Sequence, residues 1–426
     1  MRSWLACLSL LIPAAWGQQK TFLDEQLPLP PWLTLTAQAR WRAEGQHAIG
    51  FRSGNDQDFL LQRLRAGIGV KPVPWLELYA ETQDARSPGI PNATATTRNV
   101  ADIRQAYVRL GREDSWFDVK VGRQVLAFGS ERVLGGSDWT NTARVFDAVK
   151  LEVHHGGNRV DIFSSSVVNP DREGWDHHAQ GDNLHGGYAS IATLVPKAKF
   201  EPYVLWRFSP RFNGDSVTGH YRSVTVGARL AGTLRSDWAY ELEILGQGGR
   251  ISGQQLAAWG AEAQVRRQFP RAVWKPSLLA EYNFASGDRQ RHDGPVNTLD
   301  QLYPTNHSIY GVVDAFGRRN MKNLRFGVWG QPRTWLTLKL EGHDFWLASR
   351  NDALYAATGA VSVAAVPGGA LSRHVGKELD MLADVKLSRH YSLGAQFGHL
   401  FAGQFLRLHS PGSGRTFYAM WVDFRL

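Results

Sequence analysis

Residues Gly122 to Leu151 read G-R-Q-V-L-A-F-G-S-E-R-V-L-G-G-S-D-W-T-N-T-A-R-V-F-D-A-V-K-L. The stretch opens inside one strand, Asp118 to Phe128, where Asp118, Lys120 and Gln124 interleave with Val119, Val121 and Val125. It closes inside another, Phe146 to Val153, where Lys150 and Glu152 interleave with Val149, Leu151 and Val153. Alternation at period two gives each strand one apolar and one charged face. Between them lies a polar, glycine-rich loop carrying Arg132, Asp138, Trp139, Asn141, Arg144 and Asp147. A long loop joining two such strands is the sequence pattern of a transmembrane barrel.

The same rhythm runs outward in both directions. Towards the N-terminus, Leu33 to Trp41 alternates aliphatic residues with Gln38, Arg40 and Arg42. Phe59 to Lys71 sets Leu64, Ala66 and Ile68 against Arg63 and Arg65, and Pro72-Val73-Pro74 breaks the ladder. Trp75 to Gln83 returns with Leu76 and Leu78 against Glu77 and Glu81. Asp84 to Ala101 then reads as a long polar loop, and towards the C-terminus short turns alternate with long connections, of which Asn169 to His185, Ser286 to Arg319 and Ala348 to Gly376, the last rich in Ala, Gly and Val, are expected to be loops. Short turns on one rim and long loops on the other predict an all-β, antiparallel transmembrane barrel of about 18 strands, with periplasmic turns and extracellular loops. The final strand, Thr416 to Leu426, alternates Tyr418, Met420, Val422, Phe424 and Leu426 with polar or small residues and Trp421, as barrel C-termini do, though it ends on leucine and not on an aromatic residue.

Charge fixes which face is which. Arg63, Arg65, Glu77, Glu81, Lys120, Lys150, Glu152, Glu281, Lys339 and Glu341 all fall within strands. An Arg or Lys on a lipid face at mid-membrane costs about 2–4 kcal/mol, and more than ten such costs would exceed the stability of a folded domain. The charged phase is therefore expected to face a wet or self-paired lumen, and the aliphatic phase lipid. A soluble sandwich with its charged phase in water is the competing fold. It gives no reason for Trp32, Trp75, Trp116, Trp238, Trp335 and Tyr391 to gather where short turns meet strands, as interface aromatics do.

The N-terminus predicts export. Arg2, the apolar run Trp4 to Ile12 and the small residues at Ala15 and Gly17 make 1–17 a signal peptide cleaved before Gln18. Residues 18–32 form a proline-rich lead-in and 33–426 the barrel. The single cysteine, Cys7, leaves with the signal, so no thiol remains for metal or redox chemistry. After Gly17 no apolar run is long enough for a membrane helix.

The stretch also resembles the bacterial alginate-export family of outer-membrane channels. The matching residues are Gly122-Arg123-Gln124, Arg132 to Gly135, Asp138-Trp139-x-Asn141 and Arg144-x-Phe146-Asp147. A second run, Asp300-Gln301-Leu302-Tyr303-Pro304-Thr305-Asn306-His307 followed by Gly311, Asp314 and Asn320, matches downstream. The resemblance implies an anionic polyuronate as substrate, moving passively through a positively charged constriction. By analogy Arg63, Arg65, Arg123, Arg144 and Lys150 are the leading cations. The wider path takes in Arg40, Glu77, Glu81, Lys120, Arg132, Asp147, Glu152, Glu281, Lys339 and Glu341. For each, a salt-bridged lumen wall is the alternative role.

Expected partners are outer-membrane lipid, the anionic polysaccharide or small anions, and periplasmic secretion components. An anion-preferring uptake porin on the same scaffold is the alternative function. Neither cofactor nor metal is expected. His154-His155 and His177-His178 follow no ligand spacing, and Asp288, Asp293 and Asp300 read as solvated loop charge. No nucleophile elbow or zinc helix supports an enzyme. The net charge of +9 is spread through alternating strand positions and not clustered, which argues against nucleic acid.

Overall fold

The computed structural model describes residues 29–90, 92–112, 115–291 and 294–426. The expected signal peptide and most of the lead-in lie outside them.

Eighteen strands form one closed antiparallel sheet. The first half comprises β1 (Leu33–His47), β2 (Gln57–Val73), β3 (Leu76–Arg86), β4 (Asn99–Gly111), β5 (Phe117–Gln124), β6 (Phe146–His155), β7 (Asn158–Asn169), β8 (His177–Ser190) and β9 (Ala198–Asn213). The second comprises β10 (Thr218–Arg235), β11 (Trp238–Ile251), β12 (Gln254–Gln268), β13 (Ser277–Ala285), β14 (Met321–Arg333), β15 (Leu336–Leu347), β18 (His374–Lys386), β19 (Tyr391–Ala402) and β20 (Arg415–Arg425). A small separate hairpin, β16 (Leu354–Tyr355) with β17 (Val361–Val363), sits between β15 and β18. Each wall strand pairs with its chain neighbour, and β1 pairs with β20, Trp41 opposite Val422, to close the ring. Closure leaves no unpaired edge, which a hydrocarbon environment demands.

The outer surface is apolar, as the strand phases predict. Leu64, Ile68, Leu78, Val108, Val121, Val149, Ile244, Phe326 and Leu340 are each more than a third exposed, with their charged neighbours turned inward. Trp32, Trp75, Trp116, Trp335 and Tyr391 ring the short-turn rim, about half or more of each exposed. Phe401, on the same strand as Tyr391, is 54% exposed near the opposite rim. Ten residues at about 3.4 Å, tilted by about 40°, span about 26 Å, the height of an outer-membrane apolar band.

Two differences from the sequence reading concern the long-loop rim. The stretch expected to be a loop from Asn169 to His185 is mostly wall, because β8 begins at His177 and pairs Asn169 with His177 and Val168 with His178. It lacks an apolar phase, so period-two hydrophobicity could not reveal it. A short helix, Gln404–His409, also lies in the β19–β20 connection.

The lumen is not simply wet. Connections 125–145, 286–320 and 348–373 fold inward and pack two apolar clusters against the inner wall. One joins Leu126, Phe128 and Leu134 to Tyr188, Tyr203, Leu245, Leu302 and Tyr303. The other joins Ile309, Val312, Val313 and Phe316 to Phe345, Leu400 and Phe417. Loop side chains thus complete an interior core with apolar and aromatic residues that the wall turns inward towards the long-loop rim.

Candidate functional site: a plug tip held by arginines

The two sequence runs that carry the family resemblance meet inside the barrel. Leu134 and Tyr303 form a parallel bridge, with Gly135 N donating to Tyr303 O at 2.9 Å and Tyr303 N to Val133 O at 3.0 Å. Arg144 staples the pair, donating to the carbonyls of Gly135 (2.9 Å), Tyr303 (2.6 Å) and Pro304 (3.1 Å). Burial, only partly offset by Tyr303 and Glu131, lowers the Arg144 pKa to about 10, so it stays protonated at neutral pH. On the far side, Asp300 takes Arg207 at 2.8 Å and its backbone exchanges two 2.8 Å hydrogen bonds with Gln247. Together these contacts form a plug joined to the wall.

The tip of the plug is Asp138-Trp139-Thr140, and arginines of β1 and β2 clamp its backbone. Arg40 donates to the carbonyls of Asp138 (3.2 Å), Trp139 (3.1 Å) and Thr140 (3.3 Å). Arg42 donates to Trp139 O at 2.6 Å and lies 3.8 Å from the centre of its ring. Arg63 donates to Asp138 O at 3.0 Å and Thr140 O at 3.1 Å. Trp139 stacks on His307 at 4.0 Å, and His307 holds Asp314 at 2.6 Å and Gln396 at 2.9 Å. Asn141 fixes the base of the tip through the carbonyls of Gln62, Arg86 and Thr97 at 3.0, 3.1 and 2.9 Å.

Charge at this tip does not cancel. The guanidiniums of Arg40, Arg42, Arg63, Arg65 and Arg104 face three carboxylates. Glu44 pairs with Arg42 (2.5 Å), Glu81 with Arg104 (2.5 Å), and Asp138 with Arg63 (3.2 Å) and Arg65 (2.8 Å). Among the groups in direct contact, five cations meet three anions, an excess of two, with Asp423 and Asp314 farther off but within electrostatic reach of Arg40 and Arg42. The Asp138 side chain is 49% exposed to the bore. Enclosure by the wall would raise its pKa, but Arg63, Arg65, Arg104 and Arg40 outweigh that and hold it well below the usual carboxylate range.

The opposite wall is acidic and mostly self-paired. Arg132 reaches from the plug to Glu281 (3.0 Å), Glu262 (3.6 Å) and Glu241 (3.7 Å). Arg229 bridges Glu201 and Glu241, Arg318 holds Glu243 at 2.7 Å, and Arg325 joins Glu281 (3.3 Å) to Glu341 (2.6 Å). Lys339 faces Asp384 at 3.7 Å. On the basic side, Lys120 sits 4.4 Å from the Tyr107 ring centre, Lys150 pairs with Glu152 and with Asp161 (3.6 Å), and Glu77 with Lys71 (3.6 Å).

Of the residues expected on the path, Arg40, Arg63, Arg65 and Glu81 converge on the plug tip. Arg132 is buried and Arg144 half-buried within the plug, and both serve its docking. Arg123 and Asp147 do not line the lumen. They pair with each other at 2.9 Å in the phase of Val121 and Val149, on the outer face, where Arg123 also holds Asp176 O at 3.1 Å. The strand alternation itself dictates this, since Arg123 is odd in a strand whose inward residues are Lys120 and Gln124. Arg42, Arg104, Trp139 and His307 belong to the site without having been singled out as path residues. Asp288 sits against Ser216 and Asp352, and Asp293 lies outside the described residues.

Comparison with known proteins agrees with this architecture. The alginate-export family profile matches residues 31–419. No curated protein matches the sequence. Among solved structures, Pseudomonas aeruginosa OpdL is 12% identical with a TM-score of 0.62, over 92% of this chain and 98% of that one. Pseudomonas aeruginosa OpdK is 10% identical, also at 0.62 over 92% and 98%. Pseudomonas aeruginosa OccK2 (OpdF), solved in complex with glucuronate, is 11% identical at 0.56 over 92% and 96%. At these identities the likeness speaks for the fold. The family match covers nearly the whole chain, and with the closed 18-stranded wall it makes this chain a member of the alginate-export family, a passive outer-membrane channel.

Proposed function

We propose that the channel carries anionic uronate chains or their fragments down a concentration gradient, past the arginine-clamped tip of the plug. The observation that carries this reading is where the guanidiniums spend their hydrogen bonds. Arg40 bonds only neutral backbone carbonyls, so its charge is not consumed by a bonded carboxylate, while Arg42 and Arg63 divide their bonds between carbonyls and Glu44 or Asp138. Low-dielectric walls focus such a field on the bore, and guanidinium forks match carboxylates bidentately.

Uptake of small anionic solutes is the second reading. It is favoured by the structural neighbour solved with glucuronate, itself a uronate. Both readings place the same cations on the path. In both, residues 1–17 act as a cleaved export signal, and lipid and periplasmic secretion components are the partners.

The test is single-channel recording of the purified protein in planar bilayers. Oligouronate added to one side should block or modulate the current at concentrations where a neutral glycan of equal length does nothing. Equal effects of the two would overturn anion selection. Block by short uronates but not by long chains would favour small-solute uptake over polymer export.

A further inference from the structure

One patch of the inner wall is left with buried polar atoms that nothing satisfies. Glu341 and His343 on β15 face Asp380 and Glu378 on β18 in direct register, Glu341 opposite Asp380 and His343 opposite Glu378. Residues two apart on a strand share a face, so the four side chains form a two-by-two patch. Ligand atoms of Glu341, His343 and Asp380 all lie within 4.8 Å of one another, and all three residues are buried. His343 Nε2, Asp380 Oδ1 and Glu378 Oε2 have no hydrogen-bond partner. His343 and Asp380 side chains are each 1% exposed.

The carboxylates outnumber the cations that touch them. Among the described residues, the guanidinium bonded to the patch is that of Arg325, and it is shared. It serves Glu341 at 2.6 Å, Glu281 at 3.3 Å and the carbonyl of Ser308 at 3.1 Å. Glu378 and Asp380 receive backbone N–H groups of the plug, Val313 N at 2.9 Å and Val312 N at 3.2 Å, lie within hydrogen-bonding reach of each other, and have His343 Nε2 3.6 Å from Asp380 Oδ2, but no guanidinium or ammonium bonds them among the described residues. Buried carboxylates without a counter-charge are costly, and proteins relieve them by pairing or by metal coordination. In the other three-residue group, Asp118, Glu152 and His154, Arg109 and Lys150 pair both acids, whereas here Arg325 pairs Glu341 and leaves Asp380 without a bonded cation among the described residues.

We propose that Glu341, His343 and Asp380 bind a divalent transition-metal ion of the zinc class, with Glu378 supplying the remaining negative charge. One imidazole with carboxylate oxygens suits that class. A supporting contact that orients a metal ligand is present. Trp329 Nε1 donates to Glu341 Oε1 at 2.6 Å and so fixes that carboxylate, whereas the Asn323 amide nitrogen, 3.3 Å from His343 Nδ1, would have to turn away for His343 Nε2 to ligate. Because Asp380 and Glu378 also hold Val312 and Val313, the ion ties two wall strands to segment 311–314 of the plug. It is a structural site that fastens the plug, separate from the arginine-clamped tip.

The test uses full-length protein folded in detergent with Zn²⁺, its assembly verified by heat-modifiable gel mobility. Elemental analysis after desalting should find about one zinc per chain. His343→Gln and Asp380→Asn should each lower this at least about ten-fold, and Trp329→Phe should weaken zinc affinity about ten-fold. Co²⁺ loading of the wild type gives a second readout that needs no variant, a visible d–d band displaced by Zn²⁺. Folded wild-type protein holding no more zinc than Asp380→Asn, or showing no Co²⁺ band, would overturn the site and leave Asp380 and Glu378 sharing a proton. Either result leaves anion selection at the plug tip standing.

Discussion

Reversing Arg63 and Arg65 to glutamate tests the source of selectivity most directly. The two substitutions each replace a positive charge at the plug tip by a negative one, a change of four. At about 8 Å from a passing ion, each unit charge is worth about 0.5 kcal/mol in a water-filled bore. At physiological ionic strength the Debye length is also about 8 Å, which leaves about 0.2 kcal/mol per charge and about 0.8 kcal/mol for four. Anions then lose roughly four-fold in partition and cations gain as much, so their permeability ratio shifts by roughly an order of magnitude. At about 0.01 M salt, screening is weak, the same four charges are worth about 1.6 kcal/mol, and the ratio moves by about two orders of magnitude. The assay is the reversal potential in a salt gradient, measured at both ionic strengths. Arg40 and Arg42 still clamp the tip in the double variant, and both altered residues face inward, so the barrel should assemble with normal heat-modifiable mobility. A folded double variant whose reversal potential matches the wild type at low salt would refute the argument. So would a shift that does not grow as salt falls.

Three further outcomes are expected. Leu78→Arg puts a cation on the outer face, where Leu78 is 42% exposed, at a cost of about 2–4 kcal/mol; it should abolish the folded band in outer-membrane fractions, whereas Glu77→Arg should not, and equal assembly would overturn the assigned phase. Asn141→Ala strands three carbonyls at the base of the tip, at about 1–3 kcal/mol; limited proteolysis should cut within 125–145 while the barrel core survives. The Asp138 pKa lies well below 3.8 in the folded chain, so its contribution to docking is fully present above the ordinary carboxylate value and is lost only as pH falls through the depressed one; conductance should therefore hold steady between about pH 7 and pH 5, and a transition in that window would mean another group controls the tip.

The wall was legible because lipid enforces a period. Leu64, Ile68 and Leu78 could sit only on one side of their strands, and Arg63, Arg65 and Glu77 only on the other. Arg123 and Asp147 were expected on the lumen path by resemblance, although their phase, shared with Val121 and Val149, points outward. The plug was not legible in this way. Ile309, Val312, Val313 and Phe316 lie in a connection with no repeat, and their burial depends on Phe345 and Leu400 of strands far along the chain. The pairing of Leu134 with Tyr303 likewise joins segments more than 150 residues apart, and no local rule links them. Their only trace was that both runs matched one family.

The proposed preference for anions in a lumen so full of acid turns on the kind of partner each arginine has. On the acidic wall, Arg229, Arg318 and Arg325 each contact carboxylates at 3.3 Å or less, so each charge is answered on the spot. At the plug tip, Arg40 bonds three carbonyls and no carboxylate. A carbonyl satisfies a guanidinium's hydrogen bonds without neutralising its charge, so the group is held rigidly and still projects a full positive field. The loop backbone thus fixes Arg40 without cancelling it, whereas Arg42, Arg63, Arg65 and Arg104 also meet carboxylates. The tip must therefore dock for the cations to be ordered, and a chain that cannot dock it should conduct more and discriminate less. Trp139→Ala tests this, since it removes the ring that stacks on His307 at 4.0 Å and lies 3.8 Å from Arg42, contacts worth about 1–2 kcal/mol each. Larger conductance with a reversal potential nearer zero is the expected result. Larger conductance with undiminished anion preference would show that the cations order themselves without the plug.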